Sequence, residues 1–156
     1  MRCRERLESY LRENGVPFQV QEHRAAFTAQ RVAAAEHVSG KVVAKVVMVM
    51  ADGKPAMLVL PAPQRVDLTK AAAALGAKEV RLAREEEFAS LFPDCEVGAE
   101  PPFGNLYGLP VYVDRELAKD ETIVVEAGTY TETISLRFAD YQRLVQPTIA
   151  DLSRQL

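Results

Sequence analysis

The chain has 156 residues, 48% of them hydrophobic and 26% charged, which fits one globular domain, 1–156, and disfavours two. At this length about 70% of the unfolded chain's surface is buried on folding, so packing can hold the fold without disulfides or structural metals. Nineteen Lys and Arg against 22 Asp and Glu leave a net charge of -3, which disfavours a general binder of duplex DNA but allows a local basic patch to hold a single-stranded end.

Leu7, Tyr10 and Leu11 share one helical face, and Gly15 suits the left-handed residue after the last turn, so the first element is a short amphipathic helix. Phe18 and Val20 alternate with Gln19 and Gln21 in a strand that ends at Glu22-His23. Thr28 reads as the N-cap of an Ala-rich helix, Ala29 to His37, which stops at Ser39-Gly40. Lys41 to Ala51 and Pro55 to Pro61 are two strands joined by Asp52-Gly53, a tight hairpin turn. Asp67 caps a helix over Leu68 to Leu75 with Gly76 beyond its end, and a strand near Glu79 to Leu82 leads to a charged helix, Glu85 to Phe92, closed by Pro93.

From Asp94 to Pro110 the density of Gly and Pro predicts a shaped loop. Strands over Val111 to Val113, Thr122 to Glu126 and Thr131 to Phe138 follow, then a helix around Ala139 to Val145 and a second short one after Pro147. The expected fold is α/β mixed, with a largely antiparallel or mixed sheet. Cys3 and Cys95 have no metal-knuckle spacing, and a reducing cytosol is the simplest setting for them. Residues 1–13 lack an apolar signal core and Val46 to Ala51 is too short to span a bilayer, so a cytoplasmic protein without membrane contact is expected.

Lys45 interrupts an apolar strand and shares a face with Val43, Val47 and Val49. An ammonium is buried at a cost of several kcal/mol unless paired, which places Lys45 at a cleft, in an ion pair or on an edge strand that it protects from aggregation. The segment Gly98 to Gly104 has prolines that stiffen it and glycines that permit close approach, so the N–H groups of Ala99, Glu100, Phe103 and Gly104 can converge on an oxyanion; an ordinary surface loop is the alternative. His23 begins a turn that can line a cleft, whereas His37 suits a structural place at a helix end. Glu132 lies on the oilier face of its strand with Ile134 and Leu136, where it can pair with Lys45, bind a substrate ammonium, act as a proton acceptor or end the strand in solvent. Cys95, between Asp94 and Glu96, lacks the positive setting of a nucleophilic thiol.

Glu22-His23 with Phe27-Thr28-Ala29, Ala44-Lys45-Val46-Val47, Val97 to Gly104 and Glu126-Ala127-Gly128 occur in an order and spacing that resembles the YbaK and prolyl-tRNA-synthetase-associated editing-domain family, from about Glu22 to Val145. The resemblance implies a barrel-like mixed sheet surrounded by helices, and a pocket between Lys45, the Gly98 to Pro102 loop and the turn after Gly128. It further implies a deacylase that hydrolyses mischarged aminoacyl-tRNA, with a small amino acid, alanine or cysteine, on tRNA for proline. Lys45, Gly98, Ala99 and Glu100 are the expected catalytic positions. His23, Phe27, Thr28, Pro101, Pro102, Phe103, Gly104, Gly128, Tyr130 and Glu132 are the expected substrate contacts. No metal or organic cofactor is implied; the partners are the aminoacylated 3′ acceptor end and a synthetase. Many relatives carry a histidine shortly after the glycine that matches Gly128, where this chain reads Thr129-Tyr130-Thr131-Glu132. That difference sets a second reading, a non-catalytic tRNA- or nucleotide-binding module of the same fold.

Overall fold

The computed structural model describes residues 2–25, 29–36 and 39–155. The described elements are α1 (Cys3–Glu13), β1 (Phe18–Glu22), α2 (Ala29–Ala35), β2 (Val43–Ala51), β3 (Lys54–Pro61), β4 (Gln64–Val66), α3 (Leu68–Leu75), β5 (Val80–Leu82), α4 (Glu85–Phe88), β6 (Val111–Asp114), β7 (Thr122–Glu126), β8 (Glu132–Arg137), α5 (Phe138–Val145), β9 (Thr148–Ala150) and β10 (Ser153–Gln155). The main sheet runs β1-β8-β7-β2-β3-β6-β9, with β5 also on β2. Antiparallel pairs outnumber the parallel ones, β2 with β7, β3 with β6 and β6 with β9. The mixed α/β fold expected from the sequence is the fold observed.

Local chemistry sets most of the boundaries. Asp52 and Gly53 both take positive φ, as the two-residue turn between β2 and β3 requires. Asp67 accepts hydrogen bonds from the N–H groups of Thr69 and Lys70, and Gly76 ends α3 in the left-handed region. The expected helix after Pro147 is instead two short strands: β9 lies parallel to β6, and β10 pairs with β4, a strand that no sequence pattern marks. Each has three residues, so their form comes from a partner strand and not from a local periodicity.

The sheet's two faces are covered differently. On one, Ala44, Met48, Val59, Val125, Ile134 and Leu136 pack with Leu7 and Leu11 of α1, Phe138 and Tyr141 of α5, Phe92 and Phe103 in the main core. On the other, Val32 and Ala33 of α2 close over Val43, Ala62 and Val124 at one end. Ala71 of α3 and Leu152 close over Val49, Leu58 and Leu60 at the other end. Among the described residues no helix is long and apolar enough to cross a membrane.

Candidate active site

Lys45 lies between those two smaller cores. The two-residue period of β2 sends Val43, Lys45, Val47 and Val49 to one face; Val43 belongs to the α2 cluster and Val49 to the α3 cluster. β7 borders β2 at Val43 and Ala44, and β5 borders it from Val49 to Ala51, so Lys45 falls in the step between them. The strand is internal to the sheet, which removes the edge-strand reading of Lys45. The half-buried side chain donates to the backbone carbonyl of Gln64. Burial, followed by the charge of Arg65, holds its pKa below the ordinary lysine value.

Acidic groups collect beside this step. Glu126, at the end of β7, shares the face of Val124 and lies one position beyond the paired Ala44 and Val125, level with Lys45. Its pKa is raised to about 8 by burial first, then by the charges of Glu100 and Glu36. Opposite Glu126 on β8 stands Thr133, whose hydroxyl donates to the Glu36 carboxylate. The same carboxylate lies 3.4 Å from Nε2 of His23, and the two side chains are 4% and 2% exposed. His23 Nδ1 lies 2.6 Å from the carbonyl oxygen of Arg24, to which it donates. Burial also raises Glu100, against the opposing pull of backbone N–H groups at Gly98, Glu100 and Ala99.

Neither Glu36 nor Glu126 was among the expected site residues, although each carried a signal. Glu36 is four positions after buried Val32, on the packed face of an Ala-rich helix. Glu126 continues the alternation of a strand whose preceding residues are apolar. Among the described residues no group of three His, Cys, Asp or Glu side chains is placed to hold a metal ion.

The Gly98 loop and the Gly128 turn are joined by backbone hydrogen bonds. Glu96 N–H donates to the Gly128 carbonyl and Gly128 N–H to the Ala99 carbonyl, both at 2.8 Å. Gly98 N–H donates to the Glu100 carboxylate at 2.6 Å, and Ala99 N–H to the Glu96 carbonyl at 3.0 Å. These two donors are therefore turned inward on the loop, away from the oxyanion role expected for Ala99. The Tyr130 hydroxyl donates to the Val97 carbonyl; burial and the nearby charges of Glu96 and Glu100 raise its pKa.

Gly128 has φ +97, and a Cβ there would lie 2.5 Å from Cys3 Sγ. That sulfur is bonded to Cys95, with the two Cα atoms 5.1 Å apart, so the expectation of two reduced cysteines is corrected. The pairing arises because the start of α1 meets the Asp94–Cys95 turn, where Cys3 N–H donates to the Asp94 carbonyl; a sequence separation of 92 hides this from the sequence.

Several expected contacts are packed into the protein. Phe103 is fully buried in the main core, edge-on to Tyr141 at 5.2 Å, and is a packing residue. Gly104 is required by close approach, since a Cβ would meet Val111 at 2.8 Å. Pro101 and Pro102 are buried, and the Pro102 carbonyl accepts from the Tyr141 hydroxyl at 2.7 Å. Glu132 points to the main-core face, opposite to Lys45, where it pairs with Arg4 and accepts from the Thr129 hydroxyl at 3.1 Å. A Lys45–Glu132 pair is thereby excluded. Phe27, Thr28 and His37 lie outside the described residues.

The family model described as "Aminoacyl-tRNA editing domain" matches residues 23–144, which hold Lys45, both loops and the acidic cluster. The multifunctional Ser/Thr-tRNA deacylase ProXp-y of Escherichia coli K12 is 28% identical over 155 residues, covering 96% of this chain and 92% of that protein. A proline–tRNA ligase of Acidithiobacillus ferrooxidans (strain ATCC 53993 / BNL-5-31) is 38% identical over 84 residues, 52% of this chain and 14% of the ligase. The crystal structure of a candidate trans-editing enzyme for prolyl tRNA synthetase superposes with a TM-score of 0.85 at 24% identity, over 97% of each chain, a likeness of fold. The chain belongs to the aminoacyl-tRNA editing domain family, and its class of activity is hydrolysis of an aminoacyl ester.

Proposed function

We propose that the chain is a deacylase that removes a small, wrongly attached amino acid from tRNA, acting at the step between α2 and α3. The observation that carries this reading is the gathering of Glu36 and Glu100 around Glu126, which stands level with Lys45 on the neighbouring strand, with the Glu126 pKa raised by the other two carboxylates after burial. Buried like charges are costly together, and a bound cation relieves them. The α-ammonium of an aminoacyl ester is such a cation, one bond from the carbon that bears the reacting carbonyl. Lys45 supplies the complementary positive charge, against the ribose oxygens or the oxyanion that forms when water adds to the ester carbonyl. Collapse of that tetrahedral intermediate breaks the carbonyl-carbon to ribose-oxygen bond and returns a proton to the ribose. Water serves as the nucleophile, adding to the ester carbonyl, so no side chain has to form a covalent intermediate.

The task suits a second site. A synthetase pocket discriminates weakly against an amino acid smaller than its own, about 1–3 kcal/mol per methylene, and hydrolysis elsewhere removes the error. Alanine and cysteine on tRNA for proline are the first candidates. Serine and threonine follow from what the E. coli relative's name says of that protein.

The test is the rate of ester loss across tRNAs charged with these four amino acids, each compared with its N-acetyl derivative, which lacks the ammonium. Hydrolysis of a free-amine ester at roughly 100-fold the rate of its acetylated form, the scale of one lost charge-assisted contact or two, is expected. Equal rates overturn the ammonium reading. The family resemblance implies a histidine shortly after Gly128, where this chain has Tyr130 and Glu132 and the Tyr130 hydroxyl is held by the Val97 carbonyl; this favours, as the second reading, a module that binds charged tRNA without turnover. Binding with no ester loss by the folded chain decides for that module.

A further inference from the structure

A cationic pair with no carboxylate partner among the described residues lies next to the site. β4 and β10 form a two-stranded ribbon in which Arg65 stands directly opposite Arg154, both exposed. Like charges in directly opposed positions destabilise a ribbon, so this pairing opposes the fold it belongs to. The nearby carboxylates do not offset it: Asp67 accepts from the N–H groups of Thr69 and Lys70, and Asp151 pairs with Lys70 and Arg115.

The two arginines border a cleft of about 500 Å³. Leu68 and Leu82 line it too, and these are two of the chain's exposed large hydrophobic residues, at 36% and 53% exposure. The ribbon also touches the candidate active site. Lys45 donates to the carbonyl of Gln64, the residue before Arg65, and the Arg65 charge is felt at Lys45. Guanidinium forks beside an apolar surface match one chemistry, phosphate groups joined to flat bases. The acidic chain thereby places two arginines together beside the residue to which Lys45 is bonded.

We propose that the Arg65–Arg154 ribbon and its cleft bind the RNA strand that leads into the site, the arginines holding adjacent phosphates and Leu68 with Leu82 supporting a base. This rests on the reading of the chain as an enzyme acting on tRNA, because that reading supplies an RNA strand at Lys45. It goes further in fixing the path of the strand: from Lys45 along Gln64 to the outer side of β4 and β10.

The experiment is equilibrium binding of an uncharged RNA hairpin with a single-stranded 3′ end to the full chain, across a salt series, for wild type, R65A/R154A and R65K/R154K. The double alanine variant is expected to bind about ten-fold more weakly near 0.1 M salt, and its slope of log affinity against log salt should be shallower by about 1.4, the share of two single-strand phosphates. The double lysine variant should keep most of the slope. Removal of a like-charge pair should leave the melting temperature unchanged or raised, so a loss of binding is not a loss of fold. Equal affinity and equal slope in wild type and R65A/R154A overturn the proposal.

A parallel ester-hydrolysis assay on wild type separates the two claims. Ester hydrolysis by wild type with no effect of R65A/R154A on binding leaves the enzyme reading standing and sinks the ribbon. No hydrolysis by wild type, with the expected loss of RNA binding, sinks the enzyme reading and keeps the ribbon.

Discussion

Burial, then the charges of Glu100 and Glu36, push the Glu126 carboxyl up to about 8, against 4.5 for an ordinary glutamate. Between those values the folded state holds a proton that the unfolded state has released, so by linkage this residue's contribution to stability is greatest at low pH and is lost as the pH rises through about 8. A tenfold difference in proton affinity between the two states is worth about 1.4 kcal/mol. Glu126→Gln keeps the shape and removes the titration. Urea unfolding at pH 5 and pH 9 should show the variant gaining on wild type at the higher pH by at least roughly 2 kcal/mol, and parallel stability curves would count against a buried, proton-holding Glu126. The raised pKa of Glu100 acts in the same direction and remains in the variant.

At the scale of elements, two ties hold the ends of the chain against the site. The Cys3–Cys95 bond fixes the start of α1 to the loop before Gly98, across a separation of 92 residues. Loop-closure entropy puts its contribution at up to about 4–5 kcal/mol, so Cys3→Ser under oxidising conditions should lower the unfolding free energy by a large part of that. Gly128→Ala meets the same sulfur and a positive φ, and an expected loss of about 2–3 kcal/mol can be read from its denaturation midpoint. Asp114, fully buried, accepts from Leu152 N–H at 2.9 Å and from Glu116 N–H at 3.1 Å. Asp114→Ala strands both donors, so a loss of about 2–4 kcal/mol and early amide exchange over Leu152 to Gln155 are expected.

The same elements show what a sequence reading could reach. The Asp52-Gly53 turn and the Asp67 to Gly76 helix carried their own backbone chemistry, and both formed as expected. β4, β9 and β10 are three-residue segments defined by partners far along the chain, as is the disulfide. For Lys45 the period of two gave the correct face. For Glu132 it also gave the correct face, but a strand's alternation does not say which of two faces a second strand's lysine occupies.

For the whole molecule, the sheet explains how a chain of net charge -3 can be arranged to handle a polyanion. One face is closed by α1, α5 and the aromatic residues around Phe103. The other is closed by α2 and α3 at its ends, leaving Lys45 between the two clusters, with carboxylates on the β7 side and arginines on the β4 side. The aminoacylated 3′ end of a tRNA has the same polarity, an ammonium at one end and phosphates at the other. The most direct test of Lys45 at the centre of this arrangement is single-turnover hydrolysis of a mischarged tRNA by wild type and by Lys45→Ala, with folding of both checked by thermal unfolding. The variant is predicted to keep its fold and lose rate by roughly 100-fold or more, the scale of one donor to a developing oxyanion. An unchanged rate in a folded Lys45→Ala protein would contradict a reaction centred on this lysine.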